Sequence, residues 1–226
     1  MAKRNKQNND ETLVDVVEVK EHAQDYFEKN KSLVMGILTV IILLVGGFIV
    51  YKYLIQMPKE NQAKMAIFKA EQQFQRDSFA LALENPGGGY EGFLDIIDNY
   101  SGTETANIAS LYAGISYMNV GRFNDAISYL ENYNADGSYG PILKNGNLGD
   151  AYSELQDFDK ALSYYKKAAT ASEDALLTPY YLYKLGLLSK RMGDSAAANA
   201  AFKRIKDEYP DSEQGTKVRK LIATLG

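Results

Sequence analysis

The chain has 226 residues, a formal net charge of −4, 46 % apolar residues and 24 % charged ones. That is the balance of an ordinary folded protein, and it argues against nucleic acid as the main partner. The absence of cysteine excludes disulfides, cysteine-held zinc, iron–sulfur clusters and thiol catalysis, and a histidine triad or multi-histidine metal site would have only His22 to build on.

Residues 1–31 read as a polar N-terminal tail. Its first twelve residues have the composition of a disordered segment. Residues 13–31, LVDVVEVKEHAQDYFEKNK, keep Leu13, Val16, Val17, Ala23, Tyr26 and Phe27 near one face and predict a short amphipathic helix. His22 sits there among Glu21, Gln24 and Asp25 as a solvated helix residue.

Residues 32–55 read as a transmembrane anchor. No charge falls between Lys31 and Lys52, and Leu33–Tyr51 reads LVMGILTVIILLVGGFIVY. As a helix that run spans about 28 Å, close to the apolar thickness of a bilayer. It is followed by Gln56-Met57-Pro58 and not by a small-x-small cleavage site, so it reads as permanent. Close to its two ends the Lys and Arg counts are nearly even, so the positive-inside rule does not set the orientation. A short tail before the anchor and a long domain after it suit a cytoplasmic N-terminus and an exported C-terminal domain.

Residues 56–226 are helical in pattern and repetitive. Three segments align in register: Ala113-Gly114-x2-Tyr117 with Ala126 and Leu130, Leu148-Gly149-x2-Tyr152 with Ala161 and Tyr165, and Leu185-Gly186-x2-Ser189 with Ala198 and Phe202, closed by Pro210. A turn lies inside each unit, at Gly121-Arg122-Phe123, Gln156-Asp157-Phe158 and Gly193-Asp194-Ser195. This pattern resembles the tetratricopeptide repeat, a helix A–turn–helix B unit of about 34 residues. In such a unit the glycine and the alanine let the two helices approach. The Tyr and Phe positions are expected to fill the space between units.

A degenerate fourth unit precedes these, because Phe93-x2-Ile96-x3-Tyr100 matches Phe202-x2-Ile205-x3-Tyr209. Its helix A is predicted over residues 60–84. A capping helix is predicted over 211–225, since a terminal repeat must have its apolar face covered. Ser101-x2-Glu104 reads as a capping box, and Thr178-Pro179 as N-cap plus first helical proline. The expected fold is all-α: one transmembrane helix, then a right-handed α-solenoid of about four tetratricopeptide repeats and a capping helix.

Little in the chain points to catalysis. Gly87-Gly88-Gly89-Tyr90-Glu91-Gly92 fits G-x-G-x-x-G, but a helical segment and Asn85-Pro86 precede it where the dinucleotide fingerprint needs a strand. It reads as a turn between helices. Acidic pairs such as Asp95/Asp98 and Glu173/Asp174 read as solvated faces or caps. No enzyme activity, cofactor, metal, small-molecule substrate or nucleic-acid partner is expected. Tyr117, Tyr152 and Tyr165 take core positions.

A candidate partner-binding groove follows from the helix-A positions. Tyr180, Tyr183, Lys190 and Arg191 lie on one helix A, Asp150 and Glu154 on the one before, and Asn119 on the one before that. In a tetratricopeptide solenoid, helix A lines the concave side. The chaperone-type carboxylate clamp is not implied, because Leu111, Gly146 and Tyr183 hold its positions.

The order of parts adds a narrower resemblance. Tyr26-Phe27-Glu28-Lys29-Asn30-Lys31, one anchor and a small tetratricopeptide domain together resemble the YfgM-type ancillary subunit of the bacterial Sec translocon. That resemblance implies a single-pass protein of the bacterial inner membrane with its repeats in the periplasm. It implies the SecYEG channel and a membrane-anchored prolyl isomerase of the PpiD type as partners, and a role assisting newly exported proteins. The chain departs from the family in its longer tail and in the Gly-rich insertion 86–92. The alternative expectation is an adaptor for another cell-envelope assembly or division complex.

Overall fold

The computed structural model describes residues 26–223, so the tail up to Asp25, with His22 and most of the amphipathic segment, lies outside the described residues. The chain divides into two units at Pro58/Lys59. Among the described residues the fold is helical and holds no strand, as expected.

The first unit is dominated by helix α1, Lys31–Tyr51, which is long and apolar enough to cross a membrane and buries none of its side chains. Its mid-helix hydroxyl, on Thr39, donates to the Met35 carbonyl 2.8 Å away, the internal pairing that a polar group in an apolar setting needs. A π-helical turn over Lys52–Gln56 follows.

The second unit is a succession of helical hairpins. Helices α2 (Met57–Ala66) and α3 (Phe68–Phe74) join through Ile67 without losing the hydrogen-bond ladder, because Ile67 N–H donates to Ala63 and Glu71 N–H to Ile67. Then come α4 (Phe79–Glu84), α5 (Phe93–Asn99), α6 (Glu104–Asn119) and α7 (Phe123–Asn132). They are followed by α8 (Gly140–Glu154), α9 (Phe158–Ala171), α10 (Leu177–Arg191), α11 (Ser195–Glu208) and α12 (Glu213–Ala223).

The turns show that the hairpins are copies of one unit. Asp77, Gly121, Gln156 and Gly193 all have positive φ, at 55°, 77°, 61° and 84°. At each, the next residue's N–H reaches back to the helix: Ser78 to Gln73, Arg122 to Tyr117, Asp157 to Tyr152 and Asp194 to Ser189, each at 2.9 Å. This is a Schellman closure repeated four times. It corrects the expected helix over 60–84. Helix A of the first repeat stops at Phe74, and residues 79–84 already belong to helix B. The left-handed Asp77 ends the α-helical hydrogen-bond series there.

The B helices cover the A helices through the glycines. A Cβ on Gly114 would lie 2.6 Å from Leu130 Cγ, one on Gly149 2.5 Å from Tyr165 Cδ1, and one on Gly186 2.5 Å from Phe202 Cε1. Leu130, Tyr165 and Phe202 therefore seat on their own unit's helix A. They also reach the next hairpin, as expected: the Tyr165 ring stacks on Tyr181, ring centres 6.4 Å apart, and Leu130 shares a buried cluster with Leu148.

The first hairpin follows the same register once seven residues are set aside. Ala82 and Phe93 are fully buried and eleven apart, where Ala198 and Phe202 are four apart. The Gly-rich segment 86–92 loops out of helix B and returns against it. Gly92 packs so tightly on the Leu83 carbonyl that a side chain would overlap the backbone. Gly87, Gly88 and Gly89 take left-handed φ, and helices flank the segment, so no phosphate-binding strand–turn–helix forms.

Two helix starts differ from the sequence reading. The N-cap of α6 is Thr103, whose Oγ1 accepts from Ala106 N–H at 3.1 Å and donates to the Tyr100 carbonyl at 2.6 Å. Ser101 lies too far back in the turn for this. At α10, Thr178 is already in the first helical turn. Asp174 Oδ1 instead accepts from Leu176 and Leu177 N–H at 2.9 and 2.6 Å, and the Thr178 hydroxyl donates to the Ser172 carbonyl. An aspartate closer to the loop outcompetes the threonine for the free amides.

Candidate functional site

The site grows from the approach of α8 and α10, the first helices of the third and fourth hairpins. Gly146 lets them close. Its missing side chain leaves the space that the Tyr181 ring occupies, and any Cβ there would overlap that ring. One turn further along, Lys184 Nζ meets Asp150, 2.7 Å from Oδ1 and 2.8 Å from Oδ2. From α9, the Tyr165 hydroxyl donates to Asp150 Oδ1 at 2.6 Å. Lys184 also lies over the Tyr180 ring, 4.7 Å from its centre. Three helices of two hairpins are thus tied through one carboxylate.

Electrostatics keep this cluster in one charge state. Burial pushes the Tyr165 hydroxyl far above the ordinary phenol range, and the adjacent Asp150 charge pushes it further. Tyr181 is pushed up for the same two reasons. At Lys184, burial pulls the ammonium down, but the Asp150 carboxylate and the Tyr180 contact outweigh it, so the net direction is upward. Lys184 is spent on Asp150.

Next to the cluster lies an open cavity of about 220 Å³, lined by Ser153, Tyr165, Lys184, Leu187, Leu188 and Arg191. The Arg191 guanidinium rests on the Phe158 ring at 4.7 Å. No ion pair of Arg191 occurs among the described residues. A larger cavity, of about 450 Å³, lies where the start of α6 meets the loop after α7. Asn107 clamps that loop, donating to the Asn134 carbonyl and accepting from its N–H. The larger cavity has no cationic lining residue.

The groove residues expected from the sequence are dispersed. Asp150 and Tyr180 meet around Lys184, and Arg191 lines the smaller cavity. Tyr183 packs on Phe202, ring centres 6.1 Å apart, with Lys217 Nζ of the capping helix 5.9 Å from its ring centre. Glu154 ends α8 and Lys190 lies near the end of α10, both exposed and neither lining the cavity. Asn119 ends α6, its amide donating back to the Ile115 carbonyl. The sequence reading missed Lys184, Ser153 and Leu187. A signal existed for Lys184: it follows the opposite charge of Asp150 by 34 residues, close to one repeat.

Comparison with known proteins decides what the hairpins are. Residues 145–174 and 180–212 each match a family model of the tetratricopeptide repeat. The chain carries tetratricopeptide repeats. These two matched stretches contain the Asp150–Lys184 cluster and the smaller cavity. The first two hairpins join the tetratricopeptide array on geometry, through the shared turn register at Asp77 and Gly121. No curated protein matches the chain. Tetratricopeptide arrays are interaction scaffolds, with broad stacked surfaces for protein partners. Here the array accompanies a helix fit for a single membrane crossing.

Proposed function

We propose that the protein is a membrane-anchored tetratricopeptide scaffold that binds protein partners at the bacterial Sec export channel and assists newly exported chains. The observation that carries the scaffold reading is the face shared by α8 and α10. There Tyr180 and Leu187 remain 38 % and 41 % exposed beside a cavity, on helices that Gly146 and Lys184 hold together. The reading needs no catalytic turnover. Residues 1–31 form the tail, 32–55 the anchor and 56–226 the binding domain. The anchor confines the repeats to the membrane plane and raises their effective concentration near a membrane partner.

The Sec assignment draws on the resemblance carried by Tyr26–Lys31 and on the order of anchor and repeats. It places the chain in the inner membrane, N-terminus in the cytoplasm and repeats in the periplasm, beside SecYEG and a PpiD-type isomerase. The test is purification of the tagged protein from its native host in mild detergent, with quantitative mass spectrometry against a tag-only control. Enrichment of Sec channel subunits is expected. Enrichment of another envelope assembly or division complex without Sec subunits would replace the Sec reading by the adaptor reading.

A further inference from the structure

We infer that the cavity between α8, α9 and α10 receives an acidic side chain of an extended polypeptide, paired with Arg191, while a neighbouring aliphatic side chain rests on Leu187. This deepens the scaffold reading and rests on it.

Charge decides the class of occupant. Two cations line the cavity, but Lys184 is neutralised by both oxygens of Asp150. Arg191 is the uncommitted one. Its guanidinium lies over the Phe158 ring, Cζ 4.7 Å from the ring centre, a contact that favours its placement at the cavity before a ligand arrives. A planar guanidinium matches a carboxylate through two parallel hydrogen bonds. One free positive charge balances one carboxylate and under-balances a phosphate dianion.

The remaining lining fits the same occupant. Ser153 supplies a hydroxyl from α8. Leu187, four residues before Arg191 and on the same helix face, offers exposed apolar surface that a backbone or a charged residue would not cover favourably. An acidic residue next to a leucine, isoleucine or valine satisfies both groups. A basic segment would put like charges together at Arg191 and gain nothing from Lys184.

The experiment uses the full-length protein in detergent micelles and fluorescent peptides read by anisotropy. Three peptide sets share a leucine-containing core and carry glutamate, glutamine or lysine at flanking positions. The glutamate set is expected to bind at least about tenfold tighter than the other two, with affinity falling as salt is raised. Arg191→Glu should abolish that preference and favour the lysine set, and Arg191→Gln should level the three. Lys190→Glu, on the same helix but outside the cavity, should change the ranking far less. Thermal unfolding of each variant confirms an intact fold.

Equal binding of all sets, or an unchanged preference in Arg191→Glu, overturns the inference. Absence of binding by every set also overturns it, and does so without touching the scaffold reading if Sec subunits still copurify. Loss of copurification together with glutamate-set binding would instead retain the cavity assignment and remove the Sec partner.

Discussion

Gly146 and Gln156 show how single residues set the geometry of this protein. Gly146 carries no special backbone angle; its role is the room it leaves for Tyr181. Gly146→Ala forces the ring or the helix to move in a packed interface and should cost about 1–3 kcal/mol. Urea unfolding checks this, and a loss below about 0.5 kcal/mol would mean that α10 slides freely on α8. Gln156 is the reverse case. It holds φ at 61° in a turn where two of its three counterparts are glycine. Gln156→Gly should raise stability by up to about 1 kcal/mol, because a side chain in the left-handed region costs about 1–2 kcal/mol and glycine's unfolded-state freedom takes part of it back. Gln156→Val should lower stability.

The Asp150 cluster carries the pH dependence at the same scale. Tyr165, Tyr181 and Lys184 all hold their protons more tightly in the folded chain than in the unfolded one. Their contribution is therefore complete below about pH 10, the unfolded values of phenol and ammonium, and is lost as pH rises through the higher folded values. The melting temperature should fall above about pH 10. In Asp150→Asn that fall should be shallower, since the carboxylate that raises all three is gone. That variant should also be less stable at neutral pH by about 1–3 kcal/mol, between the worth of exposed and buried pairs.

At the scale of elements, the hairpin is the unit of construction, and the first one shows what the unit tolerates. Its helix B is interrupted by residues 86–92, yet Ala82 and Phe93 stay fully buried on either side. Deleting Pro86–Gly92 restores the four-residue spacing seen at Ala126–Leu130, Ala161–Tyr165 and Ala198–Phe202. The shortened protein should fold with undiminished helicity by circular dichroism and an equal or higher melting temperature. A collapse in helicity would mean that the loop holds α4 and α5 together.

The hairpins also explain what the sequence made legible. Spacing between glycines and alanines is set by helix contact, so Gly114, Gly149 and Gly186 announced themselves. The turn at Asp77 did not, because aspartate in a left-handed conformation looks like any helix-surface residue. The caps of α6 and α10 were misread because several hydroxyls and carboxylates compete within each loop, and only backbone geometry picks Thr103 and Asp174. At the candidate site, Asp150, Tyr180 and Arg191 were legible as charged or aromatic residues on A helices. Their grouping was not, because it depends on Lys184 reaching across to Asp150.

For the whole molecule, the proposed anchoring turns on which side of the membrane the repeats occupy. Charge does not answer it: close to α1, lysines and arginines are nearly even on the two sides, with Lys52, Lys59, Lys64 and Lys69 following it. The cysteine-free composition makes the question directly measurable, because any introduced thiol is the only one in the chain. Ser138 sits in the exposed loop between α7 and α8, and Asn5 lies before the anchor. On the proposed inner-membrane placement, with the outer membrane permeabilised and the inner membrane intact, a membrane-impermeant maleimide should label Ser138→Cys at once. It should label Asn5→Cys only after lysis. The Sec reading requires this result, since newly exported chains emerge on the far side of the membrane. The opposite pattern would put the Arg191 cavity in the cytoplasm, leave the scaffold and its ligand chemistry standing, and remove exported proteins as its clients.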